Sequence, residues 1–251
     1  MTIGSALILA GSRGVVDPLA AGEGVAHKAL IEIAGQPMLA RVADALRAAG
    51  VARIAVSAND PAVVALAGAL GLEVLAPAEG PSRSVGLAFA ALGAPMLVTT
   101  ADHALLDPAW VRQFVADVPP GTDVAVLLAE RAQISAAMPG SRRTYLKFAD
   151  GAWSGCNLFH LATPAAARAL DLWASVEADR KRPWRIVRRF GLGTLLRYAL
   201  GRLTLAEAVA RLGRTARVTA AVVAARDGLA AVDVDTAADL TDVRAILATR
   251  G

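Results

Sequence analysis

The sequence is short of cysteine, of aromatic side chains and of long apolar runs. Cys156 is the only cysteine among 251 residues, which excludes an internal disulfide and fits a reducing compartment. Aromatic residues make up 4% of a chain that is 55% hydrophobic, so its core must be built from alanine, leucine and valine. No uninterrupted apolar run approaches the ~20 residues of a membrane span. No basic-then-apolar leader with a small-residue cleavage site opens the chain. These features read as a cytoplasmic, soluble protein. Acidic residues are missing from one stretch, Arg180 to Arg202, which holds eight basic residues. In a chain of net charge +4, such a run calls for an anionic partner: a phosphorylated small molecule, nucleic acid or an anionic membrane. Nucleic acid fits least and is not expected, because no reader motif or stacking aromatics accompany the charge.

What is present is an alternation of apolar runs and helical patterns. "SALILAG" reads as a strand and "GQPMLARVADALRAAG" as a helix with Met38, Leu39, Val42 and Leu46 on one face. "RIAVSAN", "LEVLAP" and "PMLVTTAD" continue as strands, while Asp60-Pro61 and Asp107-Pro108 cap and start helices. After Gly121 the rhythm changes: "RTYLKFADGAWSGCNLFHL" reads as a hairpin turning at Asp150-Gly151, and "AAVDVD" as a short strand. The expectation is an α/β fold, a doubly wound, mostly parallel (mixed), Rossmann-like three-layer sheet. One domain over residues 1–251 is expected, with a small helical lobe inserted at about 163–213.

"LILAGSRG" (7–14) is a buried strand running into a glycine-bounded loop. It is neither a G-x-G-x-x-G dinucleotide fingerprint, since the third glycine is missing, nor a Walker loop, since no Gly-Lys-Ser/Thr follows. Leu9, Ala10, Gly11, Ser12, Arg13 and Gly14 nevertheless offer backbone N–H groups, a hydroxyl and a guanidinium, the parts of an anion cradle. An ordinary surface turn would use the same residues. In "LVTTADHALLDP", Asp102 follows a buried strand at the edge where α/β sheets place ligands, and its carboxylate suits Mg²⁺ beside phosphate oxygens. Its other reading, a helix N-cap, is disfavoured because Asp107 supplies that cap. Ser82, Arg83 and Ser84 in "EGPSRSVGLAFAAL" could read a base edge and ribose.

"LILAGSRG…HKALIEIAGQPML" resembles the opening of the MobA-like nucleotidyltransferases, with Lys28 at the family's lysine. That superfamily includes molybdenum-cofactor guanylyltransferases and the cytidylyltransferases of isoprenoid and inositol-phosphate metabolism. Ser12 stands for the second glycine, Arg13 comes early, and His27 replaces a proline. The resemblance implies that Asp102 is a metal ligand, with Ala104 in place of proline. It makes "VDVDTAADL" the second acidic motif, in which Asp235 completes the metal site and Asp233, alternating onto the same face, is a weaker candidate. The other reading of that motif is an Asp–Thr helix cap with a solvated Asp233. "SRSVGL" is similar to the cytosine-side segment of the cytidylyltransferases, although Arg83 sits too close to Ser84 for their spacing. "SGCNLFHL" is similar to an acceptor-side strand, with Asn157 bonding a hydroxyl or phosphate of the acceptor and Lys147 adding charge from the neighbouring strand; the other reading of Asn157 is a bulge residue beside Gly155. In "DRKRPWRIVRRFG", Arg185, Arg188 and Arg189 fall on one side of an expected helix, where they suit an acceptor phosphate. An anionic membrane along the basic helix 182–202 suits them too, as does a merely solvated face.

These parts assemble into Mg²⁺-dependent transfer of a nucleotide, CMP by preference, from CTP or GTP to a small phosphorylated acceptor. Arg13, Lys28, Asp102 and Asp235 are the expected catalytic set. Two alternatives stay open in the sequence: a GTP-using guanylyltransferase, and a nucleotide-binding protein that kept the fold and lost turnover.

Overall fold

The computed structural model describes residues 3–12, 14, 17–140, 143–179 and 191–249. Its strands are β1 (Ile3–Leu9), β2 (Glu32–Ile33), β3 (Gln36–Pro37), β4 (Val51–Ser57), β5 (Glu73–Leu75), β6 (Met96–Thr100), β7 (Val124–Glu130), β8 (Leu146–Phe148), β9 (Gly151–Leu161) and β10 (Ala220–Ala224). The helices are α1 (Pro18–Gly22), α2 (Met38–Ala48), α3 (Pro61–Ala69), α4 (Pro81–Leu92), α5 (Pro108–Asp117), α6 (Arg131–Ala137), α7 (Ala167–Ala178), α8 (Leu192–Ala199), α9 (Leu205–Ala216) and α10 (Ala237–Ala248).

Eight strands form one sheet in the order β10-β7-β9-β6-β1-β4-β5, with β8 paired to β9. Strands β4, β5 and β6 join β1 in parallel, β7 and β10 pair in parallel, and β9 alone runs antiparallel to β6, β7 and β8. Because β1 is buried on both faces, its side chains alternate between two apolar layers rather than between core and water. Ala6 and Ile8 join Val56 and Leu97 under α2, α5 and α10. Leu7 joins Ala55, Met96 and Val98 under α4 and α7. This is the mixed, mostly parallel three-layer architecture the apolar runs predict.

From β1 the chain winds outward to β4 and β5, then returns across β1 to form β6. The winding reverses between β1 and β6, and a crevice opens at the carboxyl ends of these two strands, where such sheets bind ligands. The loop after β1 and Asp102 after β6 both sit there. Aspartates at helix starts behave as read: Asp60 accepts from the main-chain N–H groups of Ala62 and Val63, and Asp107 from Ala109. Asp102 is therefore free of capping duty.

One expectation needs correction. The run "AAVDVD" is not a strand; Val232–Asp235 carries no ladder and is tied instead by Val234, whose N–H donates to the Asp102 carbonyl at 3.0 Å. Within the stretch 163–213, among the described residues, α7 packs on α4 and α9 on β10. Between them lies a cavity of about 480 Å³ lined by Val98, Val126, Phe159, Trp173, Val209 and similar residues. With no polar side chain in its lining, it offers nothing to a phosphate.

Candidate active site

A cleft of about 700 Å³ opens at the switch point, and Leu9, Ala10, Gly11, Ser12, Lys28, Ser84, Asp102 and Asp235 are among the residues that line it. The loop after β1 is not a free row of amides. Asn59, just past β4, accepts from the Ser12 N–H at 2.9 Å and donates to the Ser12 carbonyl at 3.1 Å. The Ser12 hydroxyl accepts from the Gly14 N–H at 3.2 Å, and Gly14 lies at φ +73°, a conformation glycine adopts without strain. Asn59 thus fixes the loop, a role no sequence spacing marks. Arg13 lies outside the described residues.

Lys28 opens a single 3₁₀ turn, Lys28–Leu30, whose cap is the His27 imidazole accepting from the Ala29 N–H at 3.0 Å. Burial holds the His27 ring below its ordinary pKa, which keeps Nδ1 available as that acceptor. From this turn the Lys28 ammonium reaches Asp102 at 2.5 Å and Asp235 at 2.8 Å. Three residues distant in sequence, from a loop, a β6 end and the start of α10, therefore meet at one point. Burial alone would lower the lysine's pKa. The carboxylate of Asp102 beside it, with hydrogen bonds to Asp102 and Asp235, overrides this and raises it above the usual lysine range. The ammonium is charged at any working pH. Asp102 is 13% exposed and Asp235 62%, so one carboxylate forms the floor and the other the rim.

The second Asp102 oxygen, Oδ1, is buried with no protein partner, and so are the hydroxyls of Ser57 and Thr100, which also line the cleft. Buried oxygens without partners are costly unless something else completes them. Among the described residues, no cluster of three or more His, Cys, Asp or Glu forms a metal centre. Two carboxylates are nonetheless what Mg²⁺ takes from a protein when phosphates and water supply the rest. The donor set fits a divalent cation bound together with a nucleotide.

Asp233 does not share this point. Its Oδ1 pairs with Arg143 at 2.7 Å and its Oδ2 accepts from the Asn157 amide at 2.6 Å. Arg143 also donates to the Asp233 carbonyl at 3.0 Å. Both carboxylate oxygens are spent, which argues against the metal role. Burial raises the Asp233 pKa, and Arg143 opposes the shift. Asn157 stands at φ +48°, in the left-handed region, where β7 and β9 shift register. Asparagine tolerates that backbone better than most residues, and the bond to Asp233 holds it there. Arg143→Met would leave Asp233 largely buried without its cation, at a cost of about 3 kcal/mol. Urea unfolding is expected to show that loss, and the double variant Arg143→Met/Asp233→Asn to recover most of it. No loss in the single variant would show the pair to be energetically idle.

The base-side residues divide. Ser84 lines the cleft, and its hydroxyl accepts from the Ala78 N–H and donates to the Gly80 carbonyl, each at 2.9 Å. Ser82 turns away: its N–H and hydroxyl both donate to Glu177 of α7. Arg83 is exposed, 3.5 Å from Glu79, and does not line the cleft. Gly80 is required at this corner, since it lies at φ +93° and a Cβ there would meet the Glu177 carboxylate at 2.5 Å. Lys147 is exposed on β8 and away from the cleft lining. Arg185, Arg188 and Arg189 lie outside the described residues. His103 is fully buried against Trp110, and burial holds it neutral with a pKa of about 4. Cys156 is buried, and burial pushes its thiol up to about 12, so it packs rather than reacts.

A family model for the MobA-like NTP transferase domain matches residues 6–190, and the chain belongs to that family. It is an enzyme of the nucleotidyltransferase class. A hypothetical transferase from Thermus thermophilus is 31% identical, with a TM-score of 0.81 over 96% of this chain and 100% of that one. CMP:2-keto-3-deoxy-manno-octonic acid synthetase, solved with CTP, is 19% identical, with a TM-score of 0.59 over 98% of this chain and 100% of that one. 4-Diphosphocytidyl-2C-methyl-D-erythritol synthase from Anaerococcus prevotii is 10% identical, with a TM-score of 0.60 over 98% and 96%. The last two likenesses are of fold. No curated protein matches the chain in sequence. Among the described residues, no helix is long and apolar enough to cross a membrane.

Proposed function

We propose that the chain, acting as one nucleotidyltransferase domain, transfers a nucleoside monophosphate, CMP by preference, from an NTP to a small phosphorylated acceptor. The observation that carries this reading is Lys28 held between Asp102 and Asp235 on the floor of the switch-point cleft. An ammonium has three donors; two are taken by the carboxylates, and the third is left for a phosphate oxygen. Arg13 and Lys28 balance the charge that grows on the leaving pyrophosphate, while the Asn59-held loop fixes the phosphates. A phosphate oxygen of the acceptor attacks the α-phosphorus in line, and the bond to the bridging oxygen breaks with its electron pair on pyrophosphate. That nucleophile is already ionised at neutral pH, so no protein base is needed and positioning carries the rate. When bound, Mg²⁺ on Asp102 and Asp235 would add charge stabilisation at the reacting phosphates.

Asn157, fixed by Asp233 and next to Arg143, faces the acceptor in this reading, with Arg185, Arg188 and Arg189 as further phosphate partners. Peripheral contact with an anionic membrane through residues 182–202 is part of the same proposal. The preference for CTP rests on the "SRSVGL" segment and on two fold relatives whose names carry a cytidylyl group. Calorimetric titration in Mg²⁺ is expected to show CTP binding ~10-fold more tightly than GTP, the worth of about one hydrogen bond. Tighter binding of GTP would move the chain to the guanylyltransferases. Pyrophosphate release from four NTPs against a panel of phosphorylated polyols and sugars tests the reaction and finds the acceptor.

A further inference from the structure

His27 lines the cleft, and the reaction proposed above gives it no task. The family resemblance puts proline at this position, and the backbone here excludes it. Residue 27 stands at φ −146°, far from the value near −65° to which proline's ring confines the chain. The position is built for a side chain, and the question is what that side chain does beyond capping the Lys28 turn.

The imidazole makes one hydrogen bond among the described residues: its Nδ1 accepts from the Ala29 N–H at 3.0 Å. That bond fixes the tautomer. A ring nitrogen that accepts carries no proton, so the ring's proton sits on Nε2, which becomes a donor. Nε2 has no protein partner among the described residues, and it is not sealed from solvent. Asp17 and Asp60 act on the ring through space, but each is committed elsewhere. The Asp17 Oδ1 accepts from the Leu19 and Ala20 N–H groups, and the Asp60 Oδ1 from those of Ala62 and Val63. Neither holds Nε2.

The ring shares its stretch of cleft wall with Ser12, Lys28 and Asn59. An unpaired N–H beside an ammonium suits an anion with several oxygens. The ammonium supplies charge, and the neutral donor supplies a directed bond. A second cation in its place would compete with Lys28 for Asp102 and Asp235; a neutral imidazole does not.

We propose that His27 is a phosphate-binding residue: its Nε2–H donates to an oxygen of the triphosphate, next to Lys28, on the part that leaves as pyrophosphate. The inference deepens the transfer proposed above and rests on it.

Two amides separate the cap from the donor. Asparagine carries its oxygen close to the place of Nδ1 and is among the best caps, but it ends short of Nε2. Glutamine reaches the place of Nε2 and donates there through its amide. The test is calorimetric titration of the full chain with magnesium pyrophosphate. His27→Asn is expected to bind ~10-fold more weakly than wild type, the loss of one hydrogen bond to a charged group, at an unchanged melting temperature. His27→Gln is expected to recover most of that affinity. If His27→Asn binds pyrophosphate as tightly as wild type, the ring is only a cap and the inference falls, while the transfer reading stands. Equal losses in both variants would place the effect in the turn rather than in the donor, and would overturn the inference too. If wild type binds neither magnesium pyrophosphate nor any of the four NTPs, the reading of this cleft as the nucleotide site falls, and the role of His27 with it.

Discussion

Asp102→Ala is expected to remove turnover while leaving the molecule folded. The carboxylate lines the cleft floor, and it holds Lys28 at 2.5 Å. Its loss takes away a metal ligand in the proposed site and releases the lysine from its place. Removing one preorganised electrostatic group commonly costs ~10²–10³ in kcat, and here two such groups are disturbed together. The fold should tolerate the change, because the contact joining this turn to the Asp235 segment is main chain to main chain, from the Val234 N–H to the Asp102 carbonyl. The check pairs pyrophosphate release in Mg²⁺ with thermal unfolding. A near-wild-type rate would remove Asp102 from the site; a collapse in melting temperature would make the carboxylate structural. Asp235→Ala should follow the same pattern with less effect on stability, since that side chain is 62% exposed.

Much of this arrangement was legible before any coordinates. Strands buried on both faces read as apolar runs, so β1, β4 and β6 are visible in "LILAG", "RIAVSAN" and "MLVTT" without help from periodicity. Aspartate–proline pairs mark helix starts by chemistry that is local and so survives folding. The hairpin at Asp150-Gly151 is local too. What fails is what depends on distant partners. The "AAVDVD" run alternates like a strand, but Gly228 just before it lies against the Gln133 main chain, where an added Cβ would collide with the carbonyl oxygen. The chain is held there by packing against α6 rather than by a ladder.

The site shows the same division. Lys28, Asp102 and Asp235, which the structure brings to one point, stand out in the sequence because each sits in a motif several residues long. Asn59 and Arg143 were missed because each is a single polar residue in a loop, and its meaning comes only from what lies opposite. Asn59 matters because Ser12 is across from it, Arg143 because Asp233 is. The separation of Asp233 from Asp235 has the same cause. Placing Asp233 on the same side as Asp235 followed from the alternation, yet the two carboxylates are separated by their partners: Arg143 and Asn157 hold one, Lys28 the other. Ser82 was misplaced because composition cannot tell which serine of a helix's first turn looks into a cleft. Glu177, far along the chain, claims that one.

Lys28→Met is expected to separate two roles that the wild-type geometry superimposes. The ammonium stands where it neutralises two carboxylates, and in the proposed reaction it also faces the departing pyrophosphate. Losing the second role should cost ~2–4 kcal/mol of transition-state stabilisation, the scale of one preorganised donor, read as a fall in kcat/KM. Losing the first role should act in the opposite direction on metal. Asp102 and Asp235 would face each other with no cation between them, so Mn²⁺, as a probe for Mg²⁺, should bind the nucleotide-free variant more tightly than it binds wild type. A carboxylate pair that repels itself gains more from a divalent ion than one already bridged by an ammonium. Direct titration with Mn²⁺ measures this without any turnover. If the variant loses kcat/KM and gains Mn²⁺ affinity, lysine and metal share the same carboxylates, and the lysine must yield part of its hold when nucleotide and metal arrive together. If kcat/KM stays constant and only the melting temperature falls, Lys28 is a structural bridge between the β6 end and the start of α10. Weaker Mn²⁺ binding in the variant would mean that Asp102 and Asp235 are not the metal's ligands, and the proposed site would have to be sought elsewhere in the cleft.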